Sequence, residues 1–387
     1  MPPPAFPLPG RIAAAVALIT ILVITATSAA ARAPPPPPPP IHLPKFTAAI
    51  IFGDSTVDTG NNNYITTAVF KADHLPYGEN FPSETPTGRF SDGRLIPDLI
   101  ASRLAIKPAV PPYLDPQLPA GELRTGVAFA SSGSGYDEQT PELTFSVSMG
   151  RQVEMFEEYV VRLRRNFGDD VAEETVGGAL ILVSAGTNDF TDNYFNLPTR
   201  RLQFNMSGYQ DFLLQRVEKF VKDVYAAGGR TLFIAGLPPI GCLPIQMSAA
   251  LQFLPLEARQ CIQSQNADSR AYNGKLKTLL HRLEASLPDS VIAYADVFDP
   301  ILDMVSQPQR YGFVEAKRGC CVSGLLEGAF LCTPLTPTCG DLSAKYVFFD
   351  SIHPSEAANK ILTANLVHQL ASHYAARRRS SVPNHRG

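Results

Sequence analysis

The 387-residue chain reads as an α/β protein built on a parallel sheet with helices on both faces. Two observations carry that reading. Five short runs, Ala48–Phe52, Gly126–Ser131, Ala179–Ala185, Thr231–Ala235 and Val291–Ala295, are almost wholly apolar, as strands buried on both faces must be. Between them lie longer segments whose apolar residues recur at helical spacing. With 45% hydrophobic and 18% charged residues the chain can bury a sizeable core, and no internal repeat or second-domain boundary divides it.

In chain order, residues 12–31 are almost entirely apolar behind Arg11 and end in the small residues Ala26 to Ala31. That pattern predicts a secretory signal peptide over residues 1–33, cleaved between about Ala30 and Pro34. A membrane anchor is the competing reading, because about 20 apolar residues can span a bilayer. The weakly hydrophobic, alanine-rich second half favours cleavage, after which no spanning segment remains. Pro34–Pro40 is an unbroken proline run, a stiff polyproline II spacer of roughly 20 Å within a linker over 34–45. The folded domain is expected over 46–376, followed by a solvated basic tail, 377–387, carrying Arg377 to Arg379.

The first strand, Ala48–Phe52, stops at Gly53-Asp54-Ser55, which places a hydroxyl at the carboxyl edge of the sheet, where open α/β folds bind ligands. The polar, turn-rich stretch Asn61–Arg94 reads as a loop lining that edge. Leu95–Ala105 reads as a short helix. The second strand, Gly126–Ser131, ends in Ser132-Gly133-Ser134-Gly135. Ser148–Phe167 is an amphipathic helix, with Val153, Phe156, Val160, Leu163 and Phe167 on one face. The third strand, Ala179–Ala185, ends in Gly186-Thr187-Asn188-Asp189. A helix starting near Ser207, with Gln210 completing a capping box, turns Leu213, Val217, Phe220 and Val224 inward. Thr231–Ala235 and Val291–Ala295 are the remaining strands. Leu256–Leu287 is mostly helical, and Ser355–Tyr374 is the last helix, with Pro354 suited to its start.

Serine is a poor nucleophile until a base takes its proton. Asp350-Ser351-Ile352-His353-Pro354 supplies one: in a turn, the Asp350 carboxylate reaches Nδ1 of His353 and leaves Nε2 for Ser55. The Ser55 N–H, the Gly133 N–H and the Asn188 side-chain amide are then three donors at one sheet edge, enough for an oxyanion hole. Losing one such donor costs about 3–4 kcal/mol in the transition state.

The blocks GDSxxDxG and DxxHP resemble those of GDSL lipases and esterases, the SGNH hydrolases, from about Phe46 to His373. GRFSDGR (Gly88 to Arg94) and GCLP (Gly241 to Pro244) resemble the plant branch, and the proline-rich leader is similar to its anther-specific proline-rich subgroup. The resemblance implies a three-layer α/β/α, flavodoxin-like fold with a central parallel sheet. It implies a Ser55, His353, Asp350 triad, with Ser55, Gly133, Asn188 and His353 as the S, G, N and H, and no metal or cofactor. The acyl group of a lipid-like or acylated ester passes to Ser55 and then to water. An acyltransferase using an alcohol instead, as in cutin-synthase-like relatives, and a non-catalytic lipid-binding or wall-associated protein are the alternatives. One block departs from the family: Ala128 stands where NFAxxG has asparagine, so altered local hydrogen bonding is expected rather than inactivity.

The cysteines, Cys242, Cys261, Cys320, Cys321, Cys332 and Cys339, number six. An even count behind a leader suggests disulfides, with fifteen possible pairings. Cys242 with Cys261 is a natural local pair; the other four would staple the loop from Tyr311 to Asp341, with adjacent Cys320 and Cys321 taking different partners. A zinc site is the rival reading, though no CxxC is present. Asn205-Met206-Ser207 is an N-glycosylation sequon that coincides with a helix N-cap. Asp54, Asp58 and Asp189 read as loop-holding residues and His74 and His281 as surface residues. Net charge of −3 leaves no footprint for nucleic acid, and the expected partner is a small ester or lipid in a secreted, extracellular setting.

Overall fold

The computed structural model describes residues 43–249, 259–321, 327 and 331–380. The expected leader (1–33), the linker as far as 42, the first residues of the Leu256–Leu287 helix and the last of the basic tail lie outside the described residues. Among the described residues no helix is long and apolar enough to cross a membrane.

Strands β1 (Ala49–Gly53), β2 (Leu180–Ser184), β3 (Thr231–Ala235) and β4 (Val291–Ala295) form a four-stranded parallel sheet in that order. Side chains alternate between two core clusters, as the pleat requires. Ala48, Ile50 and Phe52 face the first cluster with Ile181, Val183, Leu232 and Ile234. Ala49 and Ile51 face the second with Leu180, Leu182, Phe233 and Ala293. Helices α2 (Met149–Phe167), α3 (Met206–Ala226) and α4 (Gln263–Ser286) bury their apolar stripes on the first face. Helices α1 (Ile96–Arg103) and α5 (Glu356–Ser380) cover the second with Ile100, Ala101, Leu366, Val367 and Leu370. The three layers expected from the sequence are therefore present.

The expected strand Gly126–Ser131 is only partly one. It runs beside β1, where Ile51 N–H donates to Val127 O (3.1 Å), Phe129 N–H to Ile51 O (2.8 Å) and Ser131 N–H to Gly53 O (3.0 Å). Its outer edge meets a loop instead of a strand: Ala128 N–H donates to Pro111 O and Tyr113 N–H to Ala128 O. The Asn61 Nδ2 donates to the carbonyls of both Ala128 and Ala130, at 2.8 Å each. The result is isolated bridging at Ala128 instead of a continuous ladder. Counted as a lane, this segment lies outside β1, so the second stretch in sequence is outermost, which is the flavodoxin-like order.

Helix ends differ from the sequence reading in three places. The cap of α3 is Asn205, whose Oδ1 accepts from Gly208 N–H at 2.8 Å; Gln210 closes no capping box but is buried and donates to Asp268 O. Helix α4 begins at Gln263 rather than Leu256. Helix α5 continues past Tyr374 to Ser380, and Arg377, expected in a solvated tail, donates to Ser290 O at 2.8 Å and pairs with Glu284.

A small parallel pair, β5 (Glu315–Gly319) and β6 (Tyr346–Phe348), was not apparent in the sequence. Disulfides Cys320–Cys339 and Cys321–Cys332 staple this lobe, and Cys242–Cys261 closes its own loop, so Cys320 and Cys321 do take different partners. The Cys320 and Cys321 N–H groups donate to Phe348 O (3.1 Å) and Phe349 O (2.7 Å), tying the lobe to the chain just before Asp350.

Candidate active site

Strand β1 must turn sharply to present Ser55, and Gly53 makes this possible. Its φ is +141°, and a Cβ there would sit 1.9 Å from Ser184 O on β2. Asp54 N–H donates to that carbonyl at 2.9 Å, which fixes the turn to the neighbouring strand.

The structure brings Ser55, His353 and Asp350 together across 298 residues of sequence. The Ser55 Oγ lies 2.7 Å from His353 Nε2. His353 Nδ1 lies 2.7 Å from Asp350 Oδ2. The other carboxylate oxygen accepts from the Ile352 and His353 N–H groups, both at 2.8 Å, so the DxxH spacing closes a turn on its own carboxylate. Burial alone would raise the Asp350 pKa, but the facing imidazole and these two amides outweigh it and hold the carboxyl below its ordinary value.

Two partners of this array were not singled out from the sequence. Tyr77 donates its O–H to Asp350 Oδ2 at 2.8 Å, on the same oxygen that faces His353. Burial and the Asp350 charge push the Tyr77 phenol well above its ordinary pKa, which keeps the donor protonated. Phe90 packs its ring 4.9 Å from that of His353, and Tyr77 stacks edge-on against Phe90 and Phe349. Both residues come from the polar loop expected to line the site. A buried tyrosine needs a hydrogen-bond partner, but nothing local in the sequence says which one.

Gly133 follows the lane beside β1, with φ +86° and its absent Cβ 2.5 Å from Thr144 Oγ1. Neither its N–H nor that of Ser55 donates to a protein acceptor among the described residues. Asn188 opens a short helix, Thr187–Phe190, and donates one N–H of Nδ2 to Ser134 O at 2.9 Å, leaving the other. The link between these segments is Gln152 on α2, a third residue that sequence reasoning missed. Its Oε1 accepts from Gly53 N–H (2.8 Å), and its Nε2 donates to Gly53 O (2.9 Å) and Ser134 Oγ (3.2 Å). The available signal was a glutamine beside the apolar stripe that begins at Val153, and the structure shows it fully buried.

The three aspartates hold loops, as expected. Asp54 accepts from Thr56 N–H and Oγ1, at 3.0 and 2.7 Å. Asp58 accepts from Gly60, Asn61 and Ser132 N–H, tying the GDS turn to the segment before Gly133. Asp189 accepts from Tyr136 N–H, Asp137 N–H and Thr140 Oγ1. Burial raises their pKa values to about 6, 6 and 7, against these hydrogen bonds. His281 is exposed, whereas His74 is half-buried, with its ring 5.5 Å from that of Tyr77. Ala128 is fully buried, and Asn61 together with the Pro111–Tyr113 loop satisfies the backbone around it.

A family model described as GDSL-like Lipase/Acylhydrolase matches residues 50–366, which include every residue of this array. The GDSL esterase/lipase At2g24560 of Arabidopsis thaliana is 50% identical over 315 residues, 81% of this chain and 86% of the relative. GDSL esterase/lipase At2g31540 of the same plant is 48% identical over 328 residues, 84% and 90% of the two chains. Likeness at this level over most of both lengths places the chain in the GDSL-like lipase/acylhydrolase family, as a carboxylic ester hydrolase.

Proposed function

We propose that the protein is a secreted serine esterase or lipase in which Ser55, His353 and Asp350 form the catalytic triad. The observation that carries this reading is the unbroken hydrogen-bonded relay from Ser55 Oγ through His353 to Asp350, each link 2.7 Å. His353 Nε2 takes the Ser55 proton as Oγ attacks the ester carbonyl carbon. The oxyanion that forms receives hydrogen bonds from the Ser55 and Gly133 N–H groups and the free N–H of Asn188. Asp350 stabilises the imidazolium, with Tyr77 holding the carboxylate in place. The imidazolium then protonates the departing alkoxide, leaving an acyl group on Ser55. Water repeats the sequence and releases the acid.

Secretion is supported by the apolar leader 1–33 and by the three disulfides, which are rare in the reducing cytosol. The mature chain then begins with the proline-rich linker 34–45 ahead of the hydrolase domain. Asn205 is exposed and uses only its Oδ1 as a cap, so its amide nitrogen is free to carry a glycan. The decisive experiment is labelling with a fluorophosphonate, followed by peptide mapping and an ester panel. Label on Ser55, lost in Ser55→Ala together with turnover, is the expected result. Turnover that survives Ser55→Ala would refute the assignment.

A further inference from the structure

The polar loop between the GDS turn and Tyr77 builds a cleft of its own. Its segment 68–74 is pinned at three points: Val69 N–H donates to Thr144 O (3.1 Å), Asn62 Nδ2 to Phe70 O (2.9 Å) and Gly88 N–H to Ala72 O (3.1 Å). Thr144 and Asn62 also hold the Gly133 block, by donating to Gly133 O and Ser132 O. Phe90 and, from the disulfide lobe, Cys332 and Thr333 stand against this segment. The cleft between them measures about 270 Å³, close to the roughly 300 Å³ at which small-molecule sites begin. Phe90 connects it to the chemistry, because its ring lies 4.9 Å from that of His353 and lines the space beside that imidazole as well. The wall joins two kinds of surface. Phe70 and Phe90 are aromatic, whereas Lys71 and His74 are half-buried and basic. No acidic side chain pairs with Lys71 among the described residues, although Asp73 lies two positions away. His74 Nδ1 donates to Leu75 O at 2.8 Å, which leaves Nε2 without a protein partner among the described residues. A plain hydrocarbon here would strip water from the ammonium and replace it with nothing. An anion restores that loss with a charge-assisted hydrogen bond.

We propose that this cleft binds the alcohol part of the ester and selects alcohols in which a carboxylate or phosphate is joined to an apolar or aromatic body. The inference rests on the proposed roles of Ser55 and His353. In that mechanism the departing alkoxide takes its proton from His353 Nε2, so the alcohol leaves from beside the imidazole. Phe90, packed on that imidazole, leads from there into the cleft. Lys71 meets the anion, and Phe70 and Phe90 cover the body that carries it. His74 Nε2 accepts from a hydroxyl when the ring is neutral and donates to the anion when it is charged.

The measurement is kcat/KM for three acetates of one benzyl alcohol skeleton: p-(acetoxymethyl)benzoate, the neutral p-(acetoxymethyl)benzamide and p-(acetoxymethyl)phenyl phosphate. An anionic ester should be preferred to the amide by about tenfold, as for one hydrogen bond to a charged group. Preference for the benzoate alone assigns a carboxylate, for the phosphate alone a phosphate, and for both the charge they share. Lys71→Met keeps most of the side-chain length and should abolish the preference, and Lys71→Arg should retain it. Thermal melts identify a variant that fails to fold, and Lys71→Gln then replaces Lys71→Met. A second arm follows the preferred product alcohol, p-(hydroxymethyl)benzoate or its phenyl phosphate counterpart, binding by calorimetry to Ser55→Ala with and without Lys71→Met. Binding should weaken about tenfold when the charge is removed. Equal kcat/KM for all three esters, a preference that survives Lys71→Met, or equal binding in the two proteins overturns the proposal. Failure of the nucleophile assignment looks different: no label on Ser55 and turnover that survives Ser55→Ala, with the calorimetric loss in Lys71→Met still present.

Discussion

At the residue scale the site is a set of short hydrogen bonds whose members should fail together. Ser55→Ala and His353→Ala are each expected to abolish ester turnover, and the double variant should lose little more than either single, because a nucleophile and its base act as one unit. Multiplicative losses in the double would assign His353 another purpose. Tyr77 offers a finer test. Tyr77→Phe removes one donor from Asp350 Oδ2 but keeps the ring that packs on Phe90 and Phe349. A hydrogen bond to a charged group contributes about 1.5–3 kcal/mol, so kcat should fall about tenfold or more with KM nearly unchanged. Steady-state kinetics on the wild type and Tyr77→Phe separate this from a binding effect, since a rise in KM alone would contradict it. The hydrogen-bonded array of Ser55, His353 and Asp350 was legible in the sequence because DxxH is a local turn that closes on its own carboxylate. Tyr77 was not, because its partner lies 273 residues away and no spacing announces it.

At the element scale, strands and helices with strong apolar periodicity were readable, and the departures share one cause. Gly126–Ser131 has a strand's composition but not its ladder, because Asn61 and the Pro111–Tyr113 loop take the outer-edge hydrogen bonds that a further strand would have made. β5, Glu315–Gly319, has the sequence EAKRG with no apolar alternation, and is held by its pairing with β6 and by the Cys320–Cys339 disulfide that follows it. Gln152 is where an element meets the chemistry. It locks the first turn of α2 to both backbone groups of Gly53, one residue before Asp54-Ser55. Gln152→Leu keeps the side-chain volume but leaves the buried Gly53 N–H without its acceptor, a penalty of about 1–3 kcal/mol. A fall in melting temperature of several degrees, with slower fluorophosphonate labelling of Ser55, is the expected result. An unchanged labelling rate would mean that β1 sets the Ser55 geometry without α2.

At the scale of the whole molecule, buried carboxyls set how stability follows pH. Asp189 has its folded-state pKa raised from 3.8 to about 7 by burial. The folded chain therefore holds that proton where the unfolded chain has released it. The stability this group contributes is complete below about pH 4 and is lost as pH rises to about 7. Asp54 and Asp58 act in the same sense up to about pH 6. Asp350 acts in the opposite sense: its depressed pKa contributes stability above the ordinary carboxyl range that is lost on further acidification. Between pH 5 and 8 the melting temperature of the wild type should therefore decline relative to that of Asp189→Asn. Parallel melting curves across that window would show that Asp189 is ionised throughout.

The 298 residues separating Ser55 from His353 give the enzyme a built-in order of events. The proposed nucleophile is among the first parts of the domain to be synthesised and the proposed base among the last, just after a segment hydrogen-bonded to the disulfide lobe. A chain still emerging, or one cut short before Asp350, carries the serine but nothing to deprotonate it. Under the proposed assignment, hydrolytic competence arrives only once the segment carrying His353 has been made.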